Sequence, residues 1–169
     1  MCSLRVELAS AADAAGLSAV ASQTFPLACP PHAPAADVAA FVEANLSTAR
    51  FAEYLSDPHR RILKADEEGR IVGYAMLIRE ADESDVGVEL SKLYVAADFH
   101  GRGVATKLMD AALGVAAEWG ASRVWLGVNR YNLRAQRFYA KSGFTVSGTR
   151  TFRLGAHLEH DYVMTRAAA

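Results

Sequence analysis

The sequence predicts an α/β domain, a mixed and largely antiparallel sheet with helices on both faces. Three observations point there. β-Forming segments come first as a meander and then alternate with two stretches of helical spacing, an order that gives one sheet with a crossover between parallel neighbours. The segment "VGVELSKLYV" (86–95) carries apolar residues on both parities, as a central strand covered on two faces does. At 169 residues the chain is long enough to bury the core of one domain and short for two, so residues 1–169 are read as a single domain.

The elements follow in order. "LRVEL" (4–8) alternates and is rich in β-formers, an opening strand. "ADAAGLSAVASQTF" (12–25) has Leu17, Val20 and Ala21 at helical spacing. "PLACPPHAPA" (26–35) holds four prolines and is read as a loop. Residues 35–57 return to helical spacing as two short helices, broken near Ser47, which supplies a cap, and ended by Asp57-Pro58. "RRILKA" and "RIVGYAMLIRE" flank Asp66-Glu67-Glu68-Gly69, a β-hairpin. After the strand 86–95, the residues Val104, Leu108, Ala111, Ala112, Val115 and Trp119 recur as one helix face, stopped at Gly120. "SRVWLGV" is a strand, "NLRAQRFYAKSG" a helix with Asn132 as N-cap, and "FTVSGTRTF" and "HLEHDYVMT" close the sheet.

Composition narrows the function. The chain is 51% hydrophobic and 22% charged with a formal net charge of −1, which argues against a general nucleic-acid coat. The balance is segregated: eight acidic residues against Arg70 and Arg79 between Asp66 and Glu89, and nine basic ones against Asp110 and Glu118 between His100 and Arg153. Cys2 and Cys29 form no CxxC pattern, no secretory leader is apparent at the N-terminus, and no run approaches a membrane span. A cytoplasmic protein is expected. His157 and His160 stand three apart and so on opposite faces of a strand, and no metal is expected.

"FHGRGVATKL" (99–108) places two glycines where a strand ends and a helix begins. Such a junction is an anion site, because the first helix N–H groups lack partners and the macrodipole is positive there. It has neither the spacing nor the Lys-hydroxyl pair of a Walker loop, and it matches a dinucleotide fingerprint only in part, with Thr106 in place of the third glycine. "HGRGVA" resembles the Q/R-x-x-G-x-G/A signature of the GNAT superfamily of N-acetyltransferases, with His100 where Gln or Arg is usual. Downstream, "NLRAQRFYAKSGF" resembles that family's N-x-x-A-x-x-F-Y-x-x-x-G-F segment.

The resemblance implies acetyl-CoA as co-substrate and a sheet whose central strands splay apart, with a bulge or wedge between "LSKLYV" and "RVWLGV". It implies that the diphosphate lies on the turn of His100, Gly101, Arg102, Gly103, Val104, Ala105 and Thr106. It sets the pantetheine arm against the backbone of Leu93, Tyr94 and Val95, and adds Asn132 and Lys141 as cofactor contacts. Tyr139 matches the family's tyrosine that donates to the departing thiolate, and Glu89, on one strand face with Ser91, resembles a base that relays the amine's proton. Asp161 stays open as an alternative base. The acceptor implied is a small-molecule primary amine. "QTF" (23–25) and the arrangement from Tyr94 to Tyr162 look most like the bacterial polyamine N-acetyltransferase branch, for which the acidic stretch Glu80 to Glu89 would attract a polycation. A longer acyl-CoA donor, an N-terminal or amino-acid amine, and a CoA-binding regulatory module without turnover remain alternatives, and a homodimer is common in the family.

Overall fold

The computed structural model describes residues 4–79 and 87–168. Among them seven strands form one sheet in the order β1-β2-β3-β4-β5-β7-β6: β1 (Leu4–Leu8), β2 (Arg60–Glu67), β3 (Arg70–Arg79), β4 (Gly87–Val95), β5 (Arg123–Asn129), β6 (Thr145–Leu154) and β7 (His157–Ala167). Every pairing is antiparallel except β4 with β5. The expected mixed, largely antiparallel sheet is therefore what forms. Five helices accompany the described strands: α1 (Ala14–Ala28), α2 (Ala35–Asn45), α3 (Thr48–Ser56), α4 (Val104–Glu118) and α5 (Leu133–Lys141).

Alternation along β3 shows which helices cover which face. Tyr74 meets Phe51 of α3 edge to face at 5.6 Å, whereas Gly73, one residue back, lies against Leu108 of α4. One face of the sheet thus carries α3, with α1 packed beside it through Leu17, Val20 and Ala21, and the other carries α4. The β2–β3 turn is tighter than the four-residue span read from the sequence. Glu68 and Gly69 both take positive φ, 52° and 87°, as a two-residue hairpin turn requires, and Asp66 Oδ1 accepts from the Gly69 N–H at 2.9 Å.

Ser47 caps α3 as expected, its Oγ accepting from the Arg50 N–H at 3.2 Å. One boundary is corrected: α1 continues through Pro26 to Ala28, so the loop starts only at Cys29. A proline there forfeits a single intrahelical hydrogen bond, and its fixed φ is helical. The added residues follow the buried Phe25 and leave Leu27 exposed.

The feature that positions the site is a break in the middle of the sheet. β4 and β5 pair only at Gly87–Arg123, Val88–Val124 and Glu89–Trp125. Beyond Glu89 the two strands are not paired with each other. On its other side β4 holds a bulge: Leu77 opposes Leu90 and Met76 opposes Lys92, leaving Ser91 as the extra residue. Bulges bend a strand and raise its twist, so β4 turns away from β5 where pairing stops. The splay read from the sequence is present, with its bulge on the β3 side.

Candidate active site

The opening between β4 and β5 leads into a cavity of about 580 Å³. At one end it is lined by His100, Ala105 and Arg134. In the middle lie Leu93, Tyr94, Val95, Asn132 and Tyr139, and at the far end Glu89, Lys92, Arg150, Glu159 and Asp161 under Phe25, Phe41 and Phe152. The cleft thus joins the glycine turn to the face of the sheet that α1 covers.

At the turn, Gly101 and Gly103 have φ of 81° and 78°, a region that side chains with a Cβ enter at a cost. A Cβ at either would meet open space, so the protein's own packing does not demand glycine; the backbone conformation does. Gly103 is the N-cap of α4 and has no side chain to cap it. The first hydrogen bond of the helix runs from the Lys107 N–H to the Gly103 carbonyl at 3.1 Å. The N–H groups of Val104, Ala105 and Thr106 are therefore left without intrahelical acceptors at the positive end of the helix dipole.

His100 reaches inward from this turn. Its Nε2 lies 2.8 Å from the Val95 carbonyl and its Nδ1 2.6 Å from Nη1 of Arg134. An arginine only donates, so Nδ1 accepts and Nε2–H donates to Val95. Both ring nitrogens are engaged, and the histidine ties the end of β4 to Arg134 on the first turn of α5. Arg134, not singled out in the sequence, is the cation that results. Lys141 does not line the cleft: it is exposed in the last turn of the same helix, two turns from Arg134. Asn132 lines the cleft, but its Oδ1 is occupied as the cap of α5, accepting from the Ala135 N–H at 3.2 Å.

Tyr139 is 9% exposed, with Phe138 and Phe144 in edge contact at 5.6 and 5.9 Å. Burial pushes its phenol up to about 12, so it holds its proton throughout the neutral range. Tyr94 adds a second phenol to the cleft, raised by burial and by nearby Tyr139, Cys29 and Asp161. Cys29 lines the same wall, its thiol pushed up to about 11, first by burial and then by Glu159. Such a thiol stays protonated and is a poor nucleophile.

At the far end the bulge changes which residue accompanies Glu89. Glu89 opposes Ile78 and Lys92 opposes Met76, so it is Lys92, and not Ser91, that shares the face of Glu89. The Asp161 carboxyl is pushed up by burial, against the pull of Arg150. For Glu159 burial acts upward too, but hydrogen bonds from His32 at 2.9 Å and Asn129 at 3.4 Å prevail and hold it below the ordinary carboxylate value. Of the acidic stretch read from the sequence, Glu80, Asp82, Glu83 and Asp85 lie outside the described residues.

Lys92 is pushed down to about 8, mainly by burial, with Arg60 and Arg150 adding to the shift and Glu89 opposing it. An unfolded lysine keeps its proton to about pH 10.4. Between those values the unfolded chain binds the extra proton, so folding stability rises with pH across that window and the cost of the buried charge is full below pH 8. Lys92→Met is expected to raise Tm at pH 7, with the gain shrinking as pH approaches 9.5. A gain that does not change with pH would remove the ammonium as its cause.

The profile of the Acetyltransferase (GNAT) family matches residues 26–144, which includes the glycine turn, the parted strands and the tyrosine helix. The chain belongs to the GNAT family. As a GNAT protein it is an acetyl-CoA-dependent acetyltransferase. It is 65% identical over 154 residues to an uncharacterized N-acetyltransferase of Mycobacterium tuberculosis, covering 91% of this chain and 97% of that one. It is 31% identical over 90 residues, half of this chain and 59% of the other, to a probable spermine N(1)-acetyltransferase of Bacillus subtilis subsp. natto. Its fold is shared with the PaiA N-acetyltransferase of Thermoplasma acidophilum crystallised with coenzyme A, at a TM-score of 0.84 and 20% identity over 98% of this chain and 99% of that one. No described helix is long and apolar enough to cross a membrane.

Proposed function

We propose that this GNAT protein transfers the acetyl group of acetyl-CoA to a primary amine by direct attack within a ternary complex, in the cytoplasm. The observation that carries this reading is the continuity of one cleft from uncapped helix N–H groups, past the unpaired edge of β4, to a buried tyrosine and a pair of carboxylates.

The chemistry follows from what each part can offer. The diphosphate lies on the N–H groups of Val104 to Thr106, with Arg134 as counter-charge. The pantetheine arm runs along Leu93, Tyr94 and Val95, whose backbone groups toward β5 have no strand to pair with. A backbone N–H there polarises the thioester carbonyl, as an oxyanion donor does. The amine nitrogen forms its bond to the carbonyl carbon, its proton passes to Glu89 directly or through water, and the C–S bond breaks. Tyr139 donates a hydrogen bond to the leaving sulfur. Its phenol, at about 12, is a far weaker acid than a thiol near 8.5, so hydrogen-bond donation to the developing thiolate is its role. Cys29, protonated, is no carrier of an acyl intermediate.

A polyamine acceptor is favoured by the similarity to the probable spermine N(1)-acetyltransferase. Against it stand Arg150 and Lys92, two cations on the acceptor face beside Glu89 and Asp161. Incubating the purified protein with acetyl-CoA and panels of polyamines, amino acids and peptides, while following free thiol, tests the reading. Acceptor-dependent thiol release is expected. Tight CoA binding with no release across every panel would instead make the protein a CoA-binding module.

A further inference from the structure

Arg150 occupies a place in the cleft that acetyl transfer as described does not explain. It stands on β6 opposite Asp161 of β7, which in turn opposes Asn129 of β5. Its side chain runs back across β7 and lays the guanidinium on the bare backbone of Gly127 in β5, where any Cβ would strike it. Cζ lies 5.7 Å from the centre of the Trp125 ring, and the group ends at Glu89 on β4, with Nη1 3.7 Å from Oε2. Glycine inside a strand is unfavourable and commonly marks a close approach; here it is what lets a cation from the sheet edge reach the centre of the cleft.

One corner of the guanidinium is held there without being satisfied. Nε is 3.5 Å from Asp161 Oδ2 and Nη1 is farther still from Glu89, both longer than a charge-assisted hydrogen bond. Nε is shielded from water and, among the described residues, has no hydrogen-bond partner. The rest of the side chain is open to the cleft, 37% exposed, and its Nη groups, held to Glu89 only by a long ion pair, keep N–H donors to offer to a ligand oxygen. The surroundings say what kind of ligand. Carboxylates and cations alternate on this face (Glu89, Lys92, Arg150, Asp161), which does not suit a polycation, and Phe25, Phe41 and Phe152 form an apolar wall.

We propose that Arg150 selects the acceptor as a primary amine bearing a carbonyl or carboxylate oxygen on the adjacent carbon, with an apolar side chain. This rests on the amine-acetylating reading above. In such an α-amino carbonyl group the nitrogen and oxygen are separated by two carbons, about 3 Å apart by standard bond lengths, which matches the side-by-side placement of Glu89 and Arg150. The nitrogen faces Glu89, the oxygen accepts from the guanidinium, and the side chain packs on the phenylalanines. Free α-amino acids and peptide N-termini share this chemistry.

The test compares kcat/KM, from thiol release, for phenylalanine, phenylalanine amide, phenethylamine and spermidine. The wild-type protein is expected to favour at least one oxygen-bearing acceptor over phenethylamine by on the order of 10- to 100-fold, the range of a hydrogen bond to a charged group. Preference for the amide as well as the acid assigns the carbonyl as sufficient; preference for the acid alone assigns the carboxylate. In Arg150→Met that ratio is expected to fall to near one. Gly127→Ala, whose methyl displaces the guanidinium without removing it, is expected to lower the ratio in the same direction, and it carries the test if Arg150→Met does not fold. Phenethylamine or spermidine used as well as the amino acid and its amide, or a ratio unchanged in both variants, overturns the proposal and leaves acetyl transfer standing. Absence of thiol release with every acceptor, despite acetyl-CoA binding, overturns both.

Discussion

Gly103→Glu is expected to weaken acetyl-CoA binding by on the order of 100-fold or more, about 2.8 kcal/mol, through the bulk and negative charge it places where the diphosphate would lie. Gly103 sits at φ 78° as the N-cap of α4, where a side chain strains the backbone by roughly 1–2 kcal/mol. The new carboxylate would also stand over the N–H groups of Val104, Ala105 and Thr106, filling the positive end of the helix with the protein's own negative charge. Gly103→Ala separates the two effects. It carries the strain without the charge, and because that strain is present in the free and bound protein alike it is expected to lower Tm while Kd for CoA stays within a few-fold. Calorimetric titration with CoA reads both variants. Equal affinity in Gly103→Glu and the wild type would relocate the diphosphate away from this turn.

What could be read from the chain before its fold was known was local in origin. The glycine turn was legible because phosphate chemistry on a helix N-terminus is built from consecutive residues. The hairpin of β2 and β3, the cap at Ser47 and the cap at Asn132 were legible for the same reason. The extent of α1 was not, because Pro26 in a proline-rich run reads as a break, while in the fold one lost hydrogen bond is offset by packing Phe25 beneath Phe41 at 4.6 Å. Nor was the face shared by Glu89 and Lys92, since strict alternation pairs Glu89 with Ser91 and a single bulge reverses it.

Arg150 shows the limit most clearly. It is 61 residues from Glu89 in sequence, and its position in the cleft depends on strand order: β7 lies between β6 and β5, and a glycine stands where the side chain must land. The one hint in the chain was that glycine, next to last in "RVWLGV". Arg134 was hidden in another way. Its place at the turn depends on a histidine ring bonded at both ends, and a motif match to His100 alone points to the phosphate and not to the neighbouring arginine.

Tyr139→Phe is expected to lower kcat by on the order of 100-fold, as loss of one donor aimed at developing charge does, while the KM for acetyl-CoA stays within a few-fold. The side chain is 9% exposed among apolar neighbours, and phenylalanine keeps their packing, so the change isolates the hydroxyl. Where CoA already binds through its phosphates and its pantetheine arm, an unmade bond to sulfur matters only as the C–S bond breaks. With the phenol raised to about 12, the wild-type rate should also show no alkaline limb from Tyr139 below pH 10. A limb in that range that disappears in Tyr139→Phe would mean that the phenol ionises during turnover and passes its proton outright. Equal kcat in the two proteins would take Tyr139 out of the mechanism, and the leaving sulfur would then have to draw its stabilisation from the other phenol in the cleft, that of Tyr94.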